Sequence, residues 1–198
     1  MAADRAVKVS NRDKVFWPAT GFTKGQLIDY YEAVADAMVP HLAGRPITLR
    51  RWPDGVEGQT FFQKNAPKHR PGWMATVTLG DVDYLRIDEP AALVWAANSA
   101  AIEIHPGLAR AAALDQPDAV VLDLDPGEGS DIITCCRVAL ILKDYLDRLH
   151  LRAWPKTSGS KGLQLYVPLN SGITYDRTRP FAERLARVAE SEHPDLIT

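Results

Sequence analysis

The 198-residue chain has only two cysteines, Cys135 and Cys136, and they are neighbours. A disulfide between adjacent residues of a helical pattern would be strained, and no CxxC or Cys/His spacing exists, so a disulfide scaffold and a thiolate metal centre are both excluded. The pair reads as small core residues. No run approaches about 18 consecutive apolar residues, and the N-terminus lacks the apolar core of a signal peptide, which points to a soluble intracellular protein. A surplus of one charge is missing too. With 23 Lys/Arg against 25 Asp/Glu, a net charge of −2 and a pI near 6.2, the chain is not a generic nucleic-acid binder. Repeats, linkers, low-complexity segments and a GxxxxGK[ST] phosphate loop are also absent.

An apolar content of 46% is enough for one large α/β domain or two small ones. The balanced charge conceals a gradient. Residues 1–75 carry eleven Lys/Arg against seven Asp/Glu, a net of +4, which leaves twelve against eighteen, a net of −6, in residues 76–198. Such a chain can grip an anion with its first part and hold cations with the rest.

The most informative stretch is Ala119-Val120-Val121-Leu122-Asp123-Leu124-Asp125-Pro126-Gly127. Its apolar run predicts a buried strand. Side chains alternate across a strand, so Asp123 and Asp125 share one face about 7 Å apart while Leu124 enters the opposite layer. Two like charges so placed are unfavourable unless water or a cation separates them, and a divalent cation suits convergent carboxylates.

Upstream, Thr23 and Gln26 form a capping-box signature, followed by the helical stripe Leu27, Ile28, Tyr31, Val34, Ala35 and Met38, which should end at Pro40. Lys24 falls in the first turn, where free N–H groups and the helix dipole favour an anion, and Lys14 lies a short loop before it. Short strands follow over 46–52, 59–64, 75–79 and 82–87, a largely antiparallel unit carrying Arg50, Arg51, Lys64, Lys68 and Arg70 among the adjacent Phe61 and Phe62. Adjacent strand residues face opposite ways, so one phenylalanine can enter the core while the other stays at the surface to stack on a base. Two core-facing rings remain the alternative.

Asp88 should cap a helix with Pro90 in its first turn, and the strand 101–105 then ends in His105, a structural or a functional histidine. After the aspartates, Gly129-Ser130 should open a helix with Ile132, Cys136, Ala139, Leu142, Leu146 and Leu149 on one side, covering a β-α-β unit. The return strand region, 151–154, leads to Thr157-Ser158-Gly159-Ser160-Lys161-Gly162 and the strand 163–169. This loop is either a plain turn or an anion-binding turn with Lys161 as its charge. A last helix lies near 179–190.

In order and context, several of these motifs resemble the polymerase domain of bacterial ATP-dependent DNA ligase D and its stand-alone relatives, in the archaeo-eukaryotic primase superfamily. The matching motifs are Asn11-Arg12-Asp13-Lys14-Val15-Phe16-Trp17-Pro18, Thr23-Lys24-Gly25, Tyr30-Tyr31, Arg51-Trp52-Pro53-Asp54-Gly55, Phe61-Phe62-Gln63-Lys64, Ile102-Glu103-Ile104-His105-Pro106, Leu122-Asp123-Leu124-Asp125-Pro126 and Thr157 through Leu163. The implied fold is mixed α/β (α+β), a primase-polymerase core of mixed β-sheet flanked by helices. An N-terminal module of helix and antiparallel strands, residues 1–88, would pack on the catalytic-core portion, residues 89–198.

The resemblance also implies roles. Asp123 and Asp125 would hold two Mn²⁺ or Mg²⁺ ions for template-dependent nucleotidyl transfer. Ser158 and Lys161 would bind the phosphates of the incoming NTP or dNTP, with His105 also facing that nucleotide, and ribonucleotides would be accepted. Asn11, Lys14 and Lys24 would capture the 5′-phosphate of a gapped or broken DNA end. Phe61 and Phe62 would stack on the template, with Arg51 and Lys64 lining the strand. The setting would be non-homologous end joining in the bacterial cytoplasm, at the nucleoid, beside a DNA ligase and an end-binding protein and without a membrane.

Three departures stand out. Gln164 replaces the histidine that usually follows Gly-Leu, and Gly107 replaces the aromatic that commonly follows His-Pro. The family's third motif, with another metal-binding aspartate and arginines, finds no match, and Asp176, Glu190 and Asp195 fall in helical or tail patterns instead of at a strand end. This favours a shortened or degenerate form, and leaves room for a non-catalytic module that recognises the 5′-phosphate of a DNA end.

Overall fold

The computed structural model describes residues 5–198. They form two compact units, one up to Ala112 and the other from Ala113 to Thr198. The architecture is mixed α/β, five helices with antiparallel sheets. No helix among the described residues is long and apolar enough to cross a membrane.

The first unit opens with a small antiparallel pair, β1 (Val15–Trp17) and β2 (Phe22–Thr23), that leads into α1 (Lys24–Ala33). The capping box forms as expected: the Gln26 N–H donates to Thr23 Oγ1 at 3.3 Å and the Thr23 N–H donates to Gln26 Oε1 at 2.8 Å. The helix then breaks at Val34, and α2 (Ala35–Leu42) runs through Pro40 instead of stopping there. Pro40 withholds one N–H, but the Ala43 N–H still closes the last turn on the Val39 carbonyl at 2.8 Å.

The main sheet of this unit centres on β3 (Ile47–Arg51). β7 (Ala101–Pro106) pairs along one of its edges, while β4 (Phe61–Gln63) and then β6 (Val82–Leu85) share the other, and β5 (Thr76–Leu79) pairs with β6. The residue-88 boundary therefore falls inside the first unit, because β7 hydrogen-bonds to β3. α3 (Pro90–Asn98) has Pro90 at its start as expected, but Glu89 holds the cap position. Asp88 is used elsewhere: it accepts from the Gly44 N–H at 2.7 Å and pairs with Arg86 at 2.8 Å. One core joins Phe16, Leu27, Ile28, Tyr31, Ile47, Leu49, Leu85 and Leu93, so one sheet face is covered and the face of Arg50, Phe62 and Glu103 is open.

In the second unit β8 (Ala119–Leu124), α4 (Ile132–Arg148), β9 (Trp154–Thr157), β10 (Leu163–Pro168) and α5 (Tyr175–Glu192) follow in sequence. The sheet order is β8-β10-β9 with antiparallel neighbours, so β8 and β9 run parallel with β10 between them. The β-α-β crossover is present, and it skips one strand. Asp131, not Gly129-Ser130, caps α4, its Oδ1 accepting from the Ile133 N–H at 3.0 Å and the Thr134 N–H at 3.1 Å. Val138, Leu142 and Leu146 of α4 and Leu185 and Ala189 of α5 pack on Val120, Leu165 and Val167, closing one face of the sheet. Both cysteines are free and Cys135 is buried, its Sγ 3.4 Å from the Leu124 carbonyl, in keeping with a core role.

Candidate functional site

In the second unit, β8 delivers Asp123 as its penultimate residue, and Asp125 follows just past the strand end; both are exposed. The loop between β9 and β10 meets the same place. A β-carbon on Gly162 would lie 2.7 Å from Asp125 Oδ1, 2.7 Å from the Leu124 carbonyl oxygen and 3.5 Å from Ser158 Oγ. Asp125 and the Ser158 loop therefore meet at Gly162, and only glycine there leaves room for the carboxylate.

The loop is closed on itself. The Ser158 N–H donates to the Gly162 carbonyl at 3.0 Å, while Ser158 Oγ accepts from the N–H groups of Gly162 at 3.0 Å and Ser160 at 3.3 Å. Lys161 is exposed and has no carboxylate ion pair among the described residues. A groove of about 660 Å³ runs from Asp123, Asp125 and Glu128 along β8 to Ala186 and Asp195. Asp176 and Glu190 lie in α5 and Asp195 in the tail beyond it, as the sequence pattern indicated. No group of three or more His, Cys, Asp or Glu among the described residues could hold a metal ion. Two exposed hard-oxygen carboxylates at one strand end still suit Mg²⁺ or Mn²⁺, which keep several waters and share their ligands with substrate phosphates.

Gln164 pairs with Asp123 on one side and with Lys156 on the other, so these three side chains form one row across the sheet. Lys156 Nζ donates to Gln164 Oε1 at 3.0 Å.

In the first unit Asn11, Lys14 and Lys24 are drawn together by backbone bonds. The Lys14 N–H donates to the Asn11 carbonyl at 3.1 Å and the Lys24 N–H to the Lys14 carbonyl at 2.8 Å. Asn11 adopts φ 53°, a left-handed conformation that asparagine tolerates. The first-turn N–H groups of α1 are not free for an anion, contrary to expectation: Lys24 bonds Lys14, Gly25 bonds Arg12 and Gln26 bonds Thr23. Any anion here must rely on side chains. Lys24 is 6% exposed and its Nζ donates to the Ser10 carbonyl at 2.8 Å. Burial, then repulsion from Lys14 and Arg51, pushes its pKa below the usual lysine range. Lys14 Nζ is held by the Pro53 carbonyl at 2.6 Å and Asp54 Oδ1 at 2.8 Å.

Neither Phe61 nor Phe62 enters the core; they are 46% and 58% exposed. The three-residue strand β4 pairs Phe61 with Arg51 and Phe62 with Arg50, on opposite faces, and each guanidinium lies 5.3 Å from its partner ring. Arg51 is anchored by its Nε to the Ser99 carbonyl at 2.5 Å and by Nη1 to Gln63 Oε1 at 2.9 Å, and burial lowers its pKa. Lys64 is exposed. His105 lies edge-on to Phe62 with ring centroids 5.6 Å apart. Its Nε2 sits 3.0 Å from Glu103 Oε2, and Glu103 Oε1 accepts from Arg50 Nη1 at 3.1 Å. Sequence reasoning missed Glu103, although its place two residues before His105 on one strand puts both on the same face.

Comparison with known proteins identifies the family of the chain. The family model described as "LigD, primase-polymerase domain" matches residues 23–198. The multifunctional non-homologous end joining protein LigD of Mycolicibacterium smegmatis is 40% identical over 97% of this chain, which spans 26% of that protein. The bifunctional LigD of Bacillus subtilis is 32% identical, again over 97% of this chain and 31% of its own length. The chain thus spans about a quarter to a third of these relatives. The solved polymerase domain of Mycobacterium tuberculosis ligase D in complex with DNA superposes with a TM-score of 0.88 at 36% identity, covering 98% of this chain and 71% of that one. By sequence and by fold, this chain belongs to the LigD primase-polymerase domain family.

Proposed function

We propose that this chain performs template-dependent nucleotidyl transfer onto DNA ends and gaps in non-homologous end joining, in the bacterial cytoplasm, beside a DNA ligase and an end-binding protein. The observation that carries the reading is the contact of Asp125 with Gly162, which joins the carboxylate pair to the Ser158 loop. Asp123 and Asp125 would hold two Mn²⁺ or Mg²⁺ ions, which when bound acidify a primer 3′-hydroxyl and neutralise the charge that develops on the triphosphate. Ser158 and Lys161 hold the triphosphate of an NTP or dNTP, ribonucleotides included, and orient it for attack. His105 faces the nucleotide, steadied by Glu103. Asn11, Lys14 and Lys24 receive a 5′-phosphate through side-chain donors. Phe61 and Phe62 stack on template bases, with Arg51 and Lys64 along the strand.

The test is nucleotide addition to a 5′-phosphorylated gapped duplex with Mn²⁺. Extension by the wild-type chain, abolished in the Asp123→Ala/Asp125→Ala double variant, is the expected result; equal incorporation by both would sink the reading. A DNA-end-binding module that does not polymerise is the second reading, favoured by the lack of a three-ligand metal group among the described residues. Phosphate-dependent binding that falls on Lys14→Ala, with no extension by the wild-type chain, would select it.

A further inference from the structure

The face of the β8-β10-β9 sheet turned away from α4 and α5 carries more chemistry than the proposed reaction uses. Beyond the row of Asp123, Gln164 and Lys156, the next register row on that face is Val121, Tyr166 and Trp154. Such rows lie about 7 Å apart. Trp154 is 59% exposed, an indole left to solvent on a strand where folding would have gained from burying it. Lys156 is also exposed and makes no carboxylate ion pair among the described residues. Its Nζ lies 5.9 Å from the centroid of the Tyr166 ring, and the Tyr166 hydroxyl donates to Gln164 Oε1 at 3.3 Å, so Gln164 steadies both. Arg152, two residues before Trp154, is exposed as well. A flat ring between cations is what a base and its flanking phosphates require.

The order along the face gives a direction. Asp125 and the Ser158 loop lie at one end, Asp123 one row in, and Trp154 one row further. In an in-line displacement the attacking and leaving groups occupy opposite sides of the phosphorus. A triphosphate on the loop therefore puts the attacking 3′-hydroxyl on the far side of the aspartates, with its own strand running over Lys156, Tyr166 and Trp154. We infer that Trp154, Lys156 and Tyr166 form a single-strand subsite for the 3′-terminal nucleotides of the strand being extended, a base on the indole and a phosphate on the Lys156 ammonium. The assignment to the extended strand rests on the polymerase reading, whereas the binding of single-stranded nucleic acid does not.

The experiment uses the full chain and a fluorescein-labelled oligodeoxythymidine with hydroxyls at both ends, followed by anisotropy without metal or nucleotide. Trp154→Ala should weaken binding about ten-fold and Trp154→Phe by less than about two-fold. Lys156→Gln should lower the slope of log affinity against log salt by about 0.7. In gap filling, Trp154→Ala should raise the KM for the primer strand and leave the KM for the nucleotide unchanged. Wild-type affinity in a Trp154→Ala protein with wild-type thermal unfolding overturns the subsite, even if extension is intact. Trp154-dependent binding by a chain that never extends DNA keeps the subsite and removes the polymerase reading. A rise in the nucleotide KM alone overturns the assignment to the extended strand.

Discussion

Asp125 occupies the space that a side chain on Gly162 would need: a β-carbon there would come within 2.7 Å of its Oδ1 and of the Leu124 carbonyl oxygen. The carbonyl belongs to the β8 backbone and cannot swing aside. Gly162→Ala should therefore cost about 1–3 kcal/mol of stability, the range for an added methyl in a tight site. Extension should fall further than stability, by about 100-fold, because a displacement of the order of an ångström at reacting groups has that effect. Parallel denaturant titration and gap filling check it; a variant with lowered stability and full activity would dissociate Gly162 from the site.

Lys24 pays in stability for a buried charge. Its pKa is depressed in the folded chain, chiefly by burial and then by Lys14 and Arg51. The unfolded chain then binds that proton more tightly, so the stability contributed by this group should rise with pH from the folded pKa up to the ordinary lysine value of about 10.4. Comparing the pH dependence of unfolding for the wild type and Lys24→Met isolates the effect. Lys24→Met should unfold at an unchanged or higher temperature while losing preference for a 5′-phosphorylated end, since the lost Ser10 bond is offset by the charge no longer buried.

Glu103 bridges Arg50 and His105 at 3.1 and 3.0 Å. Glu103→Gln keeps the shape and removes the charge. Exposed pairs of this kind contribute about 0.2–1 kcal/mol, so the thermal midpoint should move little. The KM for the nucleotide should rise about three- to ten-fold if Glu103 positions His105, a coupling worth about 1 kcal/mol. An unchanged KM in Glu103→Gln with a raised KM in His105→Ala would leave His105 to act alone.

Phe61→Ala and Phe62→Ala should each weaken binding of a single-stranded template by about 1–3 kcal/mol. Because both rings are exposed, each should change unfolding by no more than about 0.5 kcal/mol. Equilibrium binding and thermal melts on the same preparations decide it; a loss of stability without a loss of binding would make the rings structural.

What the sequence carried was local. The Thr23/Gln26 cap and the alternation of Asp123 and Asp125 depend on residues a few positions apart and formed as read, whereas the α4 stripe held only in part: Ala139, Leu142 and Leu146 are buried, but Cys135 and Val138 are buried where Cys136 was expected, and Leu149 is exposed just past the helix end. The break at Val34 has no proline or glycine to mark it. Partners set by strand register stayed hidden: Arg50 over Phe62, Arg51 over Phe61, and Gln164 between Asp123 and Lys156. So did the use of the α1 N–H groups by Arg12 and Lys14, which folding brings back from a dozen residues upstream.

β10 is the only described strand that touches both β8 and β9. It acts as the ruler of the site, because its ladder fixes how far the carboxylates stand from the Ser158 loop. A slip of one residue would put Leu163 or Leu165 where Gln164 now faces Asp123 and would turn the polar row into the helices. Changes of length in the connection that carries α4 leave that ruler untouched, so the chain should accept insertions between residues 126 and 131 far more readily than a single insertion between 163 and 167.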